Sequence, residues 1–408
     1  MYLRCINEAC AHKLDLHERA LKCPRCGELL EVAAGPLMFS AQVLKDMWWN
    51  RRCSRDPRDR SGVWRFREFL PEYAPREIVT MGEGNVPLVP GIKTAEWAAL
   101  ADIRFKHLGW NPTACFKDLG MTTGVTEARH QGARTVACAS TGNTAGSMAA
   151  YAARAGMAAR VYLPAGAVSA NKVAQALDYG AEIVEVDGSF DQALEAVLRD
   201  AGPDIYFLNS INPFRLEGQK TVMFELLEEL GWNAPDYIFV PGGNLGNTSA
   251  FGKALYELKT ASLIDKVPRL VVVQAEGANP LVQTWQSGSD ELLVVREPRT
   301  AATAIRIGAP VSWKKALKAL RFTNGLAIDV SDDEIAEAKA MIGRDGIGCE
   351  PASAAALAGA RKLARDGTVA RDASVVAILT GHVLKDTDYI TRSRYTRAAR
   401  SSAEVQAD

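Results

Sequence analysis

The stretch TVACASTGNTAGSMAAYAARAG, residues 135–156, decides how the rest of the chain reads. It opens as an apolar run of strand length, breaks at a polar turn from Ser140 to Thr144, and continues with small and apolar residues at helical spacing. The pattern recurs downstream at ARVYLP (159–164), AEIVEVD (181–187), IYFLNS (205–210), YIFVPGG (237–243), RLVVVQAEG (269–277) and SVVAILTG (374–381). Each run precedes a segment whose apolar residues fall three and four apart. Strands alternating with helices give parallel sheets covered by helices, so the fold class is α/β. In open sheets of this kind ligands sit beyond the carboxyl ends of the strands, which directs attention to the residues that follow each run.

A chain of 408 residues exceeds one ordinary core, and two packed lobes with an appendage are expected. The 48 Lys and Arg balance the 48 Asp and Glu, leaving no global field to draw nucleic acid or an acidic membrane. The opening MYLRCINEAC lacks the apolar core of a signal peptide, and no run approaches the ~20 apolar residues of a bilayer span. A cytoplasmic protein acting on a small molecule is expected. In a reducing compartment the 8 cysteines serve metal binding, packing or chemistry in place of structural disulfides.

Four of those cysteines lie in residues 1–34, a turn-rich stretch with no room for a hydrophobic core of its own. Cys5 and Cys10 form a loose first pair. Cys23 and Cys26 form a CPRC knuckle followed by Gly27, whose backbone freedom suits such a turn. Two pairs on neighbouring hairpins aim four thiolates at one tetrahedral zinc ion, with His12 or His17 as possible substitutes for a ligand. A zinc-ribbon-like module with a structural zinc is expected, because four free thiols leave the stretch nothing to fold around. An amphipathic patch at Met47, Trp48 and Trp49 follows, then RRCSRDPRDR (51–60), which reads as an exposed linker before a main body that opens near Val63. SRYTRAARSSAEVQAD (393–408) is polar, without period, and reads as a frayed tail.

The segment NPTACFKDLGM (111–121) sets Lys117 at the start of a helix, after a Pro-containing turn. Alone, such a lysine is more often a solvated charge. Two loops change that reading. Ser140-Thr141-Gly142-Asn143-Thr144 and Gly243-Asn244-Leu245-Gly246-Asn247-Thr248 each follow a strand and open a helix, where hydroxyls, amides and the helix N-terminus hold an anion. Neither has the lysine of a Walker loop or the spacing of a dinucleotide fingerprint, which disfavours nucleotides. Two anion cradles and a lysine suit a phosphorylated cofactor held as a Schiff base, and pyridoxal 5'-phosphate meets that description.

Taken in order, NPTACFKDLGM, CASTGNTAGS, NSINPFRLEGQKT, VPGGNLGNTSAF, TAATAIRIGAPVSW, EPASAAALAG and LTGHVLKD resemble the motifs of the threonine synthases. These are pyridoxal-phosphate enzymes of fold type II, in the superfamily of the tryptophan synthase β chain. The likeness runs from about Val63 to about Asp388, and NSINPFRLEGQKT with TAATAIRIG narrows it from the superfamily to this branch. The resemblance implies a homodimer of two-lobed subunits. The large cofactor lobe would comprise residues 35–124 and 221–392, and the smaller mobile lobe residues 125–220.

It further implies that Lys117 forms the Schiff base and shuttles protons, and that Gly243, Asn244, Leu245, Gly246 and Asn247 hold the cofactor phosphate. Asn143 would contact the ring 3-hydroxyl, and Thr380 would sit near the pyridine nitrogen. Ser140, Thr141 and Thr144 would take substrate carboxylate or phosphate, while Asn209, Ser210 and Arg215 would take the substrate phosphate. The planar fork of arginine suits that role, and Glu217 is its alternative, purely structural partner. The chain departs from the family pattern at Ala114-Cys115 (for Gly-Ser), Val86 (for Thr), Leu108 (for an acidic residue) and Val383 (for Gly), positions expected near the substrate cavity. Cys115 reads as a packing residue and not a nucleophile.

The implied reaction converts O-phospho-L-homoserine and water to L-threonine and phosphate, a carbon–oxygen lyase reaction on a phosphate ester. The departures keep open a relative that adds sulfite or another nucleophile to O-phosphoserine, as cysteate synthases do. A non-catalytic binder of a phosphorylated amino acid is the third reading, and retention of Lys117 argues against it.

Overall fold

The computed structural model describes residues 1–35, 37–165, 170–188, 190–200, 202 and 204–391, and the tail expected at 393–408 lies outside the described residues. Three strands belong to the N-terminal module: β1 (Tyr2–Cys5), β2 (Lys13–Leu14) and β3 (Leu30–Ala33), antiparallel in the order β2-β1-β3. The body carries β4 (Leu88–Pro90), β5 (Ile103–His107), β6 (Thr135–Ala139), β7 (Ala158–Pro164), β8 (Glu182–Val186), β9 (Ile205–Phe207), β10 (Tyr237–Pro241), β11 (Arg269–Ala275), β12 (Leu326–Val330) and β13 (Val375–Leu379). These form a parallel sheet in the order β8-β7-β6-β9 and a larger one, β12-β11-β10-β13-β5-β4, parallel except at the edge strand β4.

Every apolar run quoted above from Thr135 onward forms one of these strands. Three strands of the large sheet, β4, β5 and β12, lie outside those runs. In β5 the apolar run is interrupted by Arg104 and Lys106. Lys106 is nonetheless fully buried, because its amine meets Glu225 at 2.7 Å and Glu229 at 2.9 Å. A buried charge paired this way is tolerated in a core strand, whereas an unpaired one is not.

Aromatic and aliphatic side chains fill one face of the large sheet, among them Trp48, Trp64, Phe66 and Phe224. The other face takes the alanine-rich helix Pro351–Arg365, whose small side chains let it lie close to β10 and β13. The helices Lys117–His130 and Pro213–Glu229 contain the expected lobe boundaries at 124/125 and 220/221. They pack against each other through glycine: a β-carbon on Gly218 would overlap the Leu119 carbonyl, and one on Gly120 or Gly124 would press on Arg215.

The linker expected at 51–60 is a correction. Arg51 closes the helix Ala41–Arg51 and bonds Glu68 at 2.9 Å, Pro57–Arg60 forms a further helical turn, and Arg67 bonds Asp59 at 2.6 Å. Carboxylates within reach anchor the arginines, so the segment belongs to the body and follows a buried Trp48 whose indole donates to Glu68 at 2.8 Å. The module also differs from expectation. It has a small core of Leu3, Cys5, Cys23, Leu30 and Val32, completed by Phe214 from the body. Among the described residues, no helix is long and apolar enough to cross a membrane.

Candidate active site

Residues Ala114 to Phe116 run antiparallel to Thr380–His382, with Phe116 N donating to Thr380 O at 2.9 Å and His382 N to Ala114 O at 3.0 Å. This pairing puts Lys117, the first residue of its helix, beyond the carboxyl end of β13. Ala114 takes the left-handed conformation at φ 64, the position where the resemblance expects glycine. The Lys117 amine lies 4.2 Å from the centroid of the Phe116 ring. Burial lowers its pKa to about 8, with the positive charge of Arg215 as the next cause. Cys115 is fully buried, and burial pushes its thiol up to about 11, which suits packing and not nucleophilic attack.

The second element is the loop after β10. Leu245, at φ 63, turns the chain into the helix Gly246–Thr260. Among the described residues, none of the backbone N–H groups from Gly243 to Thr248 donates to a protein acceptor, and the Thr248 hydroxyl is buried without a partner. Converging free amides at a helix N-terminus fit a phosphate group. The segment TAATAIRIGAPVSW explains the loop's fixity. A β-carbon on Gly243 would sit 3.1 Å from Ala304 O, and Val311 N donates to Asn244 Oδ1 at 2.7 Å.

Asn143 and Thr380 meet at a residue that sequence reading passed over. Glu350, buried at the cap of the helix Pro351–Arg365, accepts from Asn143 Nδ2 at 3.0 Å and from Thr380 Oγ1 at 3.0 Å. Ser353 Oγ lies 2.8 Å from the same Thr380 hydroxyl. A glutamate immediately before a proline at the first helical position was the available signal in EPASAAALAG. Burial raises the Glu350 pKa, with its hydrogen bonds to Asn143 and Thr380 opposing the shift.

Ser140, Thr141 and Thr144 are partly exposed around the N-terminus of the helix Asn143–Ala155. Asn209 is pinned to Ala139, accepting its N–H at 2.9 Å and donating to its carbonyl at 3.2 Å. Ser210 accepts from Asn244 Nδ2 at 2.9 Å, so the residues after β9 touch the loop after β10. Arg215 is 2% exposed, its Nη1 donates to Leu208 O at 3.1 Å, and its Nε has no partner among the described residues. Glu217, its structural alternative, is engaged elsewhere, with Lys220 at 2.7 Å and with Lys253. Burial lowers the Arg215 pKa to about 10, and no carboxylate offsets this. Of the departures from the family pattern, Val86 and Leu108 are buried in the hydrophobic core, and Val383 packs on Gly348.

The four cysteine sulfurs of the module all lie within 4.8 Å of one another, with Cys5 to Cys26 at 3.4 Å and Cys10 to Cys23 at 3.8 Å. Tetrahedral Zn–S bonds of ~2.3 Å put sulfurs about 3.8 Å apart, so the cluster fits zinc. His17 is not among these groups, since its Nδ1 faces Glu127 at 2.9 Å.

A lysine with a lowered pKa, a phosphate cradle and a neutral hydroxyl at the end of β13 define a pyridoxal-phosphate enzyme of fold type II. Residues 79–381 match the family of pyridoxal-phosphate dependent enzymes. Two solved structures share the fold: a fungal L-serine ammonia-lyase from Rhizomucor miehei (TM-score 0.67, 20% identity, 76% of this chain and 98% of that one) and maize serine racemase (TM-score 0.64, 22% identity, 78% and 94%). The threonine synthase of Methanocaldococcus jannaschii is 42% identical over 395 residues, 96% of this chain and 95% of that protein. That of Mycobacterium bovis is 45% identical over 326 residues, 79% and 88% of the two chains. The chain belongs to the threonine synthase family.

Proposed function

We propose that this enzyme converts O-phospho-L-homoserine and water to L-threonine and phosphate. The observation that carries the reading is Arg215, a buried guanidinium without a carboxylate partner among the described residues, whose charge also depresses the pKa of Lys117. Two cations sharing one cleft favour a dianion, and a phosphate ester of an amino acid supplies it.

Pyridoxal phosphate, when bound, supplies an electron sink for negative charge at the substrate α and β carbons. The amides of Gly243 to Asn247 would hold its phosphate, Asn143 would contact its 3-hydroxyl, and Thr380 would offer a neutral hydroxyl to its ring nitrogen. Lys117 Nζ moves the protons: it takes those of the α and β carbons and returns protons as phosphate leaves the γ carbon and water adds at the β carbon. Arg215, with the Ser210 hydroxyl and the remaining Asn209 N–H, carries the charge of the departing phosphate. Ser140, Thr141 and Thr144 bind the substrate carboxylate. The sheet β8-β7-β6-β9 forms the smaller lobe that closes on the substrate, and the subunits act as a cytoplasmic homodimer. One structural zinc binds Cys5, Cys10, Cys23 and Cys26, and metal analysis of protein purified without chelator tests this, zinc below one equivalent per chain counting against it.

Of the four departures that motivate a shorter substrate, at Val86, Leu108, Cys115 and Val383, the first two lie in the hydrophobic core and give that reading no support. The decisive experiment measures phosphate release from O-phosphohomoserine and O-phosphoserine with the amino-acid products identified. Threonine formed from the first is expected. Release from O-phosphoserine alone would assign the enzyme to the shorter substrate, and release from neither would leave a binding protein.

A further inference from the structure

Phe214 belongs to two parts of the molecule at once. Its side chain is 2% exposed and closes the core of the cysteine module with Leu3, Cys5, Cys23, Leu30 and Val32. The His17 ring of the same module lies parallel to it with 6.4 Å between centroids. Its backbone sits on the substrate side, as the second residue of the helix Pro213–Glu229, and its carbonyl accepts from Thr123 Oγ1 at 2.9 Å. The next residue is Arg215.

The first turn of a helix has N–H groups without intrahelical acceptors and frays unless it is capped or packed. Here Asn212 Oδ1 accepts from Phe214 N at 3.0 Å and from Arg215 N at 3.3 Å, while its Nδ2 donates to Phe207 O at 3.0 Å. The cap joins the turn to the end of β9, and the Phe214 ring joins it to the module. Among the described residues the Arg215 guanidinium donates one hydrogen bond, to Leu208 O. Its backbone therefore does much to set where the charge lies.

We propose that Phe214 is a positioning residue for the substrate phosphate: the zinc-loaded module grips its ring and thereby holds Arg215. Metal occupancy of Cys5, Cys10, Cys23 and Cys26 then sets affinity for phosphate. The inference rests on the reading of Arg215 as a phosphate ligand. The module's hydrogen bond to the helix that follows the cofactor loop is made at Lys253, which donates to Val32 O about two turns beyond that loop. The module also meets the helix that opens with Lys117 through His17 and Glu127, nearly three turns from that lysine, and the helix Trp313–Phe322 through Lys315, which donates to Leu30 O at 2.9 Å.

The test measures binding of inorganic phosphate to the holoenzyme by calorimetry, beside the cofactor absorption spectrum. Phe214→Ala is expected to weaken phosphate binding about tenfold or more and to raise KM for the phosphorylated substrate in parallel. Its kcat should fall as well, because Arg215 also carries the charge of the departing phosphate, its cofactor band should not move, and Phe214→Leu should recover most of the affinity. Chelator-treated parent enzyme should show the same loss of phosphate affinity, and chelation should add nothing in Phe214→Ala, because both changes break one link. Parental phosphate affinity in folded, metal-depleted holoenzyme would overturn the inference, and so would parental affinity in a folded Phe214→Ala. If Phe214→Ala does not fold, the metal-depleted enzyme and Phe214→Leu decide. Arg215→Ala separates the two layers: phosphate affinity lost there but kept in the other proteins sinks this inference alone, whereas affinity kept in Arg215→Ala sinks the underlying reading with it.

Discussion

The Asn143 side-chain amide donates to the Glu350 carboxylate at 3.0 Å, tying the helix that follows β6 on the smaller sheet to the cap of the helix Pro351–Arg365 on the larger. The other carboxylate oxygen accepts from Thr380. One buried acid thus orients the two side chains that the family resemblance places at opposite edges of the cofactor ring.

That acid carries a measurable cost. Burial raises its folded pKa above the unfolded value, so the folded state binds the proton more tightly. The resulting penalty is absent below the unfolded pKa, grows as pH rises through the folded pKa, and is fully present above it. Glu350→Gln removes the titration. The Tm of the variant relative to the parent should therefore rise as pH climbs above the ordinary glutamate pKa of about 4.3. A Tm difference that does not vary with pH would show that Glu350 is not the group responsible.

Lys117 should reveal its lowered pKa when cofactor-free enzyme recombines with pyridoxal phosphate. Only the neutral amine attacks the aldehyde, so the rate should rise with pH through a midpoint at about 8. Arg215→Ala removes a neighbouring positive charge and should move that midpoint upward. Lys117→Ala should fold yet lose turnover and the borohydride-reducible link. A retained link would mean that another lysine holds the cofactor.

Arg215 offers a choice between two magnitudes. A surface ion pair would be worth under ~1 kcal/mol and its loss would leave kinetics unchanged. A buried contact to departing phosphate should contribute on the order of 2 to 4 kcal/mol, or roughly thirtyfold to a thousandfold in kcat/KM. Arg215→Lys keeps the charge but loses the fork, so it should fall between the parent and Arg215→Ala. A change smaller than about threefold in Arg215→Ala, measured with O-phosphohomoserine, would give the residue a structural role only.

Ala114 holds a left-handed backbone at φ 64 just ahead of Lys117. A β-carbon in that region is strained, and glycine is not. Ala114→Gly should raise stability by about 1 kcal/mol in denaturant titration, with turnover retained. A loss of stability would mean that the surroundings relieve the strain.

Sequence alone determined the parallel α/β architecture, the positions of two polar loops that each follow a strand and open a helix, the placement of Lys117 at a helix start and the cysteine pairs. These features are local: apolar period, glycine spacing and turn chemistry are written within a dozen neighbouring residues. Tertiary structure alone decided that Lys106 belongs to a core strand, that Glu217 answers to Lys220 and Lys253, that Glu350 joins Asn143 to Thr380, and that Phe214 completes the cysteine module. Each of these depends on which groups meet after water has been excluded. A charge costs little on the surface and several kcal/mol when buried without a partner, so the meaning of Arg215 or Glu350 rests on neighbours that lie far away along the chain.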